Sequence, residues 1–174
     1  MRCFDVSEGQ IEKGLSKRLG FEHIFTLGRD MGIGTNPGAS RNTKFIIKSS
    51  DDGAVLRNMG MHNVVGIIMD QNKRQRSIIE KLASSEKLLF IVTKGITNST
   101  TYARLREIQN ARKLVSLAHM YGAGVALVSL ASSNEELVSS MQMFEIAKFI
   151  GLSDANARHA VEAMAVHYDK KNKE

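Results

Sequence analysis

Residues 44–69 read KFIIKSSDDGAVLRNMGMHNVVGIIM. Two apolar runs, Phe45–Lys48 and Val64–Met69, enclose an amphipathic helical segment, Asp52–Met61. The second run is apolar throughout rather than alternating, which is the pattern of a strand covered on both faces. Strand, helix and strand in this order make a βαβ unit, with parallel strands and a right-handed crossover. Asp51 or Asp52 stands where the helix needs an N-cap, and Gly60 stands near its end.

The same two textures extend in both directions. Further short β-branched or aromatic runs predict strands at Cys3–Val6, His23–Leu27, Leu88–Thr93 and Val125–Leu130. Amphipathic stretches predict helices at Gly9–Leu19, Lys73–Ser85, Thr101–Tyr121, Asn134–Ile150 and Asp154–His167. The run Asn98–Thr101 supplies N-cap formers for the long helix, Gly122 and Gly124 follow it, and Ser153-Asp154 opens the last one. Repeated strand–helix order predicts an α/β fold on a parallel sheet, closed as a barrel or left open. Residues 28–43, GRDMGIGTNPGASRNT, interrupt the rhythm with four glycines and the only proline, and read as a long glycine-rich loop. Residues 1–168 form a single domain on this reading, and 169–174 are a charged tail.

Composition excludes several classes. The 174 residues are 43% hydrophobic and 24% charged, which rules out disorder, collagen and coiled coil. There are 24 Lys+Arg against 18 Asp+Glu, giving a net charge of +6 that hints at a polyanionic partner. The one cysteine, Cys3, permits no intramolecular disulfide, and a cytoplasmic protein is expected. The N-terminus lacks the apolar core of a signal peptide, and no run of eighteen apolar residues predicts a membrane span.

Most candidate chemistry has a plainer explanation. Gly32–Gly38 (GIGTNPG) is neither G-x-G-x-x-G nor a P-loop, and reads as a loop. His23, His62, His119, His159 and His167 contain no His-x-His pair, so no metal set is expected. There is no G-x-S-x-G elbow. Asp5 and Asp70 follow apolar runs and are expected to cap the next helix. Aromatic residues are only 6% and tryptophan is absent, so a base-stacking platform is not expected. The basic residues are more suggestive. Several of Arg57, Lys73, Arg74, Arg76, Arg104 and Arg106 fall near loops at strand C-termini, and such a cluster on one rim suits a phosphate backbone. A solvated, salt-bridged helix face explains the same residues, with Glu80, Glu86 and Glu107 as partners.

The second half carries an ordered series. Ile96-Thr97-Asn98-Ser99-Thr100-Thr101-Tyr102-Ala103-Arg104-Leu105 leads into Asn110–Val115. The strand Val125–Ala131 follows, then a helix ending Ile146–Leu152, then Ala155–Ala165. With FIIKSSDDGAVLRNMG and VVGIIMDQNKRQR before it, this order resembles ribonuclease P protein component 3, over roughly residues 44–166. The resemblance implies a parallel (β/α) TIM-like barrel of the polymerase and histidinol phosphatase (PHP) type without that fold's metal ligands. It implies a protein subunit of an endoribonuclease that removes 5′ leaders from precursor tRNA. The partners implied are RNase P RNA, protein component 2 and other RNase P proteins, and precursor tRNA indirectly. The RNA with Mg²⁺ performs hydrolysis, so the protein itself needs no cofactor and supplies no catalytic residue. Matched positions assign RNA contacts to Arg57, Lys73-Arg74 and Arg104. The series departs from the family at Asn134–Ser140, which brings two acids and no base, and the chain is shorter than the family norm near Gly28–Thr43. An abridged barrel is therefore expected. The rival reading is a PHP-like metal-dependent phosphohydrolase with a degenerate site, and a third is a protein-interaction scaffold.

Overall fold

The computed structural model describes residues 2–12, 14–40, 43–69 and 75–165. Seven strands are present among them: β1 (Phe4–Ser7), β2 (His23–Thr26), β3 (Met31–Gly34), β4 (Lys44–Ser49), β5 (Val64–Met69), β6 (Leu88–Val92) and β7 (Gly124–Val128). The helices are α1 (Leu15–Arg18), α2 (Asp52–Asn58), α3 (Gln75–Ser84), α4 (Lys94–Thr97), α5 (Thr101–Tyr121), α6 (Ser140–Phe149) and α7 (Asp154–Glu162). Two 3₁₀ turns lie at Pro37–Ser40 and Asn134–Glu136.

Every ladder is parallel. β3-β4-β5-β6-β7 form one sheet and β1-β2 a second. The architecture is therefore α/β with two parallel sheets, and not the continuous closed barrel that the resemblance implies. The physical reason lies at two seams. β2 and β3 are joined only by residues 27–30, too few for the crossover that a parallel ladder requires. One bridge, Leu27 to Met31, stands there, with the Gly28 N–H donating to the Met31 carbonyl at 2.7 Å. Beyond β7, Leu130 takes the left-handed region at φ 50°, and the regular ladder ends with β7. The second seam holds a bridge from Ser7 to Ala131, with the Leu130 N–H on the Val6 carbonyl at 2.9 Å.

Both faces of the larger sheet are covered. Ile47, Ile67, Leu89 and Leu127 pack outward against Val55, Ile78, Leu82, Leu114 and Ala147 of the helices. Their chain neighbours Ile46, Ile68, Phe90 and Val128 face the other way, where Phe4, Val6 and Phe25 of the smaller sheet and Met164 join them in one core. Successive strand residues are thus buried on opposite sides, which is why these runs show no alternation. Fully burying each large side chain contributes about 1.5–3 kcal/mol. At Gly66 a Cβ would run into the Leu88 carbonyl, so glycine lets β5 and β6 approach.

Local chemistry explains the boundaries. The Asp51 carboxylate accepts from the N–H groups of Gly53 and Ala54, so Asp51 rather than Asp52 caps α2. Gly122 ends α5 in the left-handed region at φ 71°. The stretch read as a loop, 28–43, contains β3 and a 3₁₀ turn. The helix expected over Gly9–Leu19 shrinks to α1, because the N–H groups of Glu8 and Gly9 are held by the Ala131 carbonyl. The helix expected over Asn134–Ile150 is broken at Leu137, which is extended, and restarts at a capping box of Ser139 and Gln142.

Candidate nucleic-acid interface

The strands all point their C-terminal ends to one side, the side on which parallel α/β folds carry their ligands. An open cavity of about 840 Å³ lies there. Its lining includes Glu8 just past β1, Lys48 near the end of β4, Met69 at the end of β5, Val92 at the end of β6 and Leu130 just past β7. The apolar floor is Ile68, Phe90, Val92 and Leu130, continuous with the inner core. The wall comes from α5, where Arg106, Gln109, Asn110 and Lys113 follow the i, i+3, i+4, i+7 spacing of one helix face.

The cavity's charges are separated. Lys94 donates to Ser132 Oγ at 2.7 Å and pairs with Glu136 at 2.9 Å. The Ser132 N–H and then the Lys94 ammonium hold the Glu136 carboxyl below its ordinary range. Glu8 accepts from Ser132 Oγ at 3.1 Å, and the Glu107 side chain lies against Gly95. The acids therefore gather around Lys94 and Gly95. No ion pair engages Lys48, Arg106 or Lys113 among the described residues.

Among the described residues, the basic side chains singled out in the sequence do not form one rim. Arg106 lines the cavity. Arg57 is exposed in the last turn of α2, and its guanidinium folds back toward Gly53 at the strand-end side. Arg104 Nη2 donates to the Thr97 and Ser99 carbonyls, both at 3.1 Å, where it caps the end of α4. Arg76 pairs with Glu80 at 3.0 Å and stacks 5.4 Å from the Tyr121 ring centroid. Tyr121 stands fifteen residues beyond Arg106 on α5, roughly 22 Å along the axis. Lys73 and Arg74, like Asp70 and His167, lie outside the described residues. Lys48, Gln109, Asn110 and Lys113 are the residues that sequence reasoning missed. The seven-residue step from Arg106 to Lys113 was the signal available for one of them.

Asp5 is not a helix cap. It is fully buried inside β1, and its Oδ1 accepts from the Val6 and Ser129 N–H groups, each at 2.7 Å. Its Oδ2 accepts from Ser129 Oγ at 2.6 Å. Burial pushes its pKa up to about 6 despite these three donors. The group ties β1 to the chain after β7 and does not line the cavity. Among the described residues no three His, Cys, Asp or Glu side chains converge as metal ligands, and no helix is long and apolar enough to cross a membrane.

No protein-family model matches the sequence, and no curated protein matches it. One solved structure that matches in fold is described as the cryo-EM structure of archaeal ribonuclease P with mature tRNA. The superposition has a TM-score of 0.70 and covers 98% of this chain and 80% of the matching chain. The two are 10% identical, so the likeness is one of fold.

Proposed function

We propose that this chain is a protein subunit of ribonuclease P, corresponding to its protein component 3. The observation that carries this reading is the likeness of fold to a chain of an archaeal ribonuclease P structure over 98% of the length. The ordered series over residues 44–166 supports the same family from an independent direction. On this reading the two sheets and their bridging seams are an abridged barrel of the PHP type. The β3 strand and its 3₁₀ turn stand where a full strand–helix unit is reduced.

The subunit binds RNase P RNA and stabilises the fold in which that RNA, with Mg²⁺, cleaves the 5′ leader from precursor tRNA. The protein supplies no catalytic group. Its protein partners are component 2 and the other RNase P proteins, and it works in the cytoplasm. Arg57 and Arg106 are the RNA contacts, joined by Lys73 and Arg74, and Lys48 and Lys113 extend the surface. Arg76 and Arg104 hold the scaffold, with Arg76 Nε on Glu80 and Arg104 Nη2 on the Thr97 and Ser99 carbonyls.

Binding of the catalytic domain of RNase P RNA, followed by fluorescence anisotropy across a salt series, tests this reading. The expected result is salt-dependent binding that an unrelated RNA of equal length competes for weakly. Equal competition by the unrelated RNA would contradict it.

A further inference from the structure

We infer that the cavity at the strand C-terminal ends binds one nucleotide unit, with its phosphate on Lys48, Arg106 and Lys113 and its base on the apolar floor. At about 840 Å³ the cavity lies within the size range of small-ligand pockets. Its polarity is divided in a way that selects such a ligand. The acids sit at the Lys94 end, where Glu136 and Ser132 satisfy the ammonium group. The three remaining cations have no anionic partner among the described residues, so a phosphate entering there displaces no existing ion pair.

The floor accounts for the other half of the ligand. Val92 is partly exposed at the bottom of a charged mouth, and Ile68, Phe90 and Leu130 lie buried around it, so the bottom is apolar. Phosphate alone gains nothing from it, whereas the flat face of a base does. Gln75, Gln109 and Asn110 border the same space, and each carboxamide offers both a donor and an acceptor. None of the three is hydrogen-bonded through its side chain among the described residues. Such groups match the mixed donor and acceptor edge of a base.

Two sources carry this chemistry, a free mononucleotide and one nucleotide of a bound RNA. The second source rests on the RNA-binding reading above; the first does not. The test titrates the full chain with AMP, adenosine, inorganic phosphate and a five-residue oligoadenylate, reading backbone amide shifts by NMR. AMP or the oligonucleotide is expected to shift the amides of Gln109, Asn110 and Lys113, with AMP binding about tenfold tighter than adenosine. Lys113→Gln and Arg106→Gln each weaken the phosphate-bearing ligand about tenfold and leave adenosine unchanged, whereas Arg158→Gln on α7 changes nothing. Binding of AMP without the oligonucleotide marks a free-nucleotide site, and the converse marks an RNA-nucleotide site. If neither shifts these amides, or if Arg158→Gln weakens binding as much as Lys113→Gln, the inference is overturned. AMP binding by a chain that RNase P does not need would leave the nucleotide site standing and remove the subunit reading.

Discussion

Replacing Asp5 with asparagine probes the link between β1 and the chain after β7. The Asp5 carboxyl is fully buried, and burial raises its pKa from the ordinary 3.8 to about 6. The folded chain therefore holds this proton more tightly than the unfolded chain does. Its contribution to stability is fully present below pH 3.8, falls as pH rises, and is lost above about 6. At about 1.4 kcal/mol per pH unit, the ionised group costs about 3 kcal/mol at neutral pH. Asparagine has the same shape without the charge. Its carbonyl oxygen accepts from the Val6 and Ser129 N–H groups, and its amide donates to Ser129 Oγ. The Ser129 hydroxyl proton then turns to the Val6 carbonyl, already 3.3 Å away. Asp5→Asn should therefore stabilise the fold at pH 7 by about 2 kcal/mol, the ionisation cost less the weaker neutral hydrogen bonds. Urea unfolding of both proteins between pH 3.5 and 7.5 measures this, and the difference between them isolates Asp5 from the other carboxylates. The variant's advantage should grow between pH 4 and 6 and then level off. A difference that stays flat, or a variant less stable at pH 7, would refute the reasoning.

The remaining predictions separate contact residues from scaffold residues. Arg57→Ala and Arg106→Ala should each lower the slope of log K against log salt for RNA binding by about one, read by anisotropy. Arg104→Ala should leave that slope unchanged and instead cost about 1 kcal/mol in urea unfolding, because its donors serve the Thr97 and Ser99 carbonyls. Gly66→Ala should cost about 3 kcal/mol, since the added Cβ meets the Leu88 carbonyl and approaches the Phe90 ring to 2.7 Å. Ser139→Ala removes one half of the capping box on α6 and should lower stability by about 1 kcal/mol, while Ser139→Gly should cost less.

The elements legible in the sequence are those whose signals are local. β5 and α5 fall on the expected residues, because an unbroken apolar run and a 21-residue helix carry their own patterns. β3 was hidden because Gly32 and Gly34 alternate with Met31 and Ile33, and its strand character comes from pairing with β4. The short α1 was equally hidden, since the Ala131 carbonyl that holds Glu8 and Gly9 lies more than 120 residues away. The break at Leu137 was readable, because S-x-x-Q at Ser139–Gln142 is a capping signature inside a stretch read as one helix. The candidate site follows the same rule. Arg106 was legible from its place after a strand, and Lys113 from its spacing. Lys48 was not, because its role depends on how far it stands from α5 across the mouth. The separation of Arg104 from the free cations depends on α4, a single turn with no sequence period.

The subunit reading is tested most directly by reconstituting RNase P from its RNA and protein components, with this chain present or omitted. Precursor-tRNA cleavage is then followed as Mg²⁺ is lowered. Adding this chain should restore cleavage at Mg²⁺ concentrations where the particle lacking it is inactive. Identical cleavage at every Mg²⁺ concentration, with and without the chain, would contradict it.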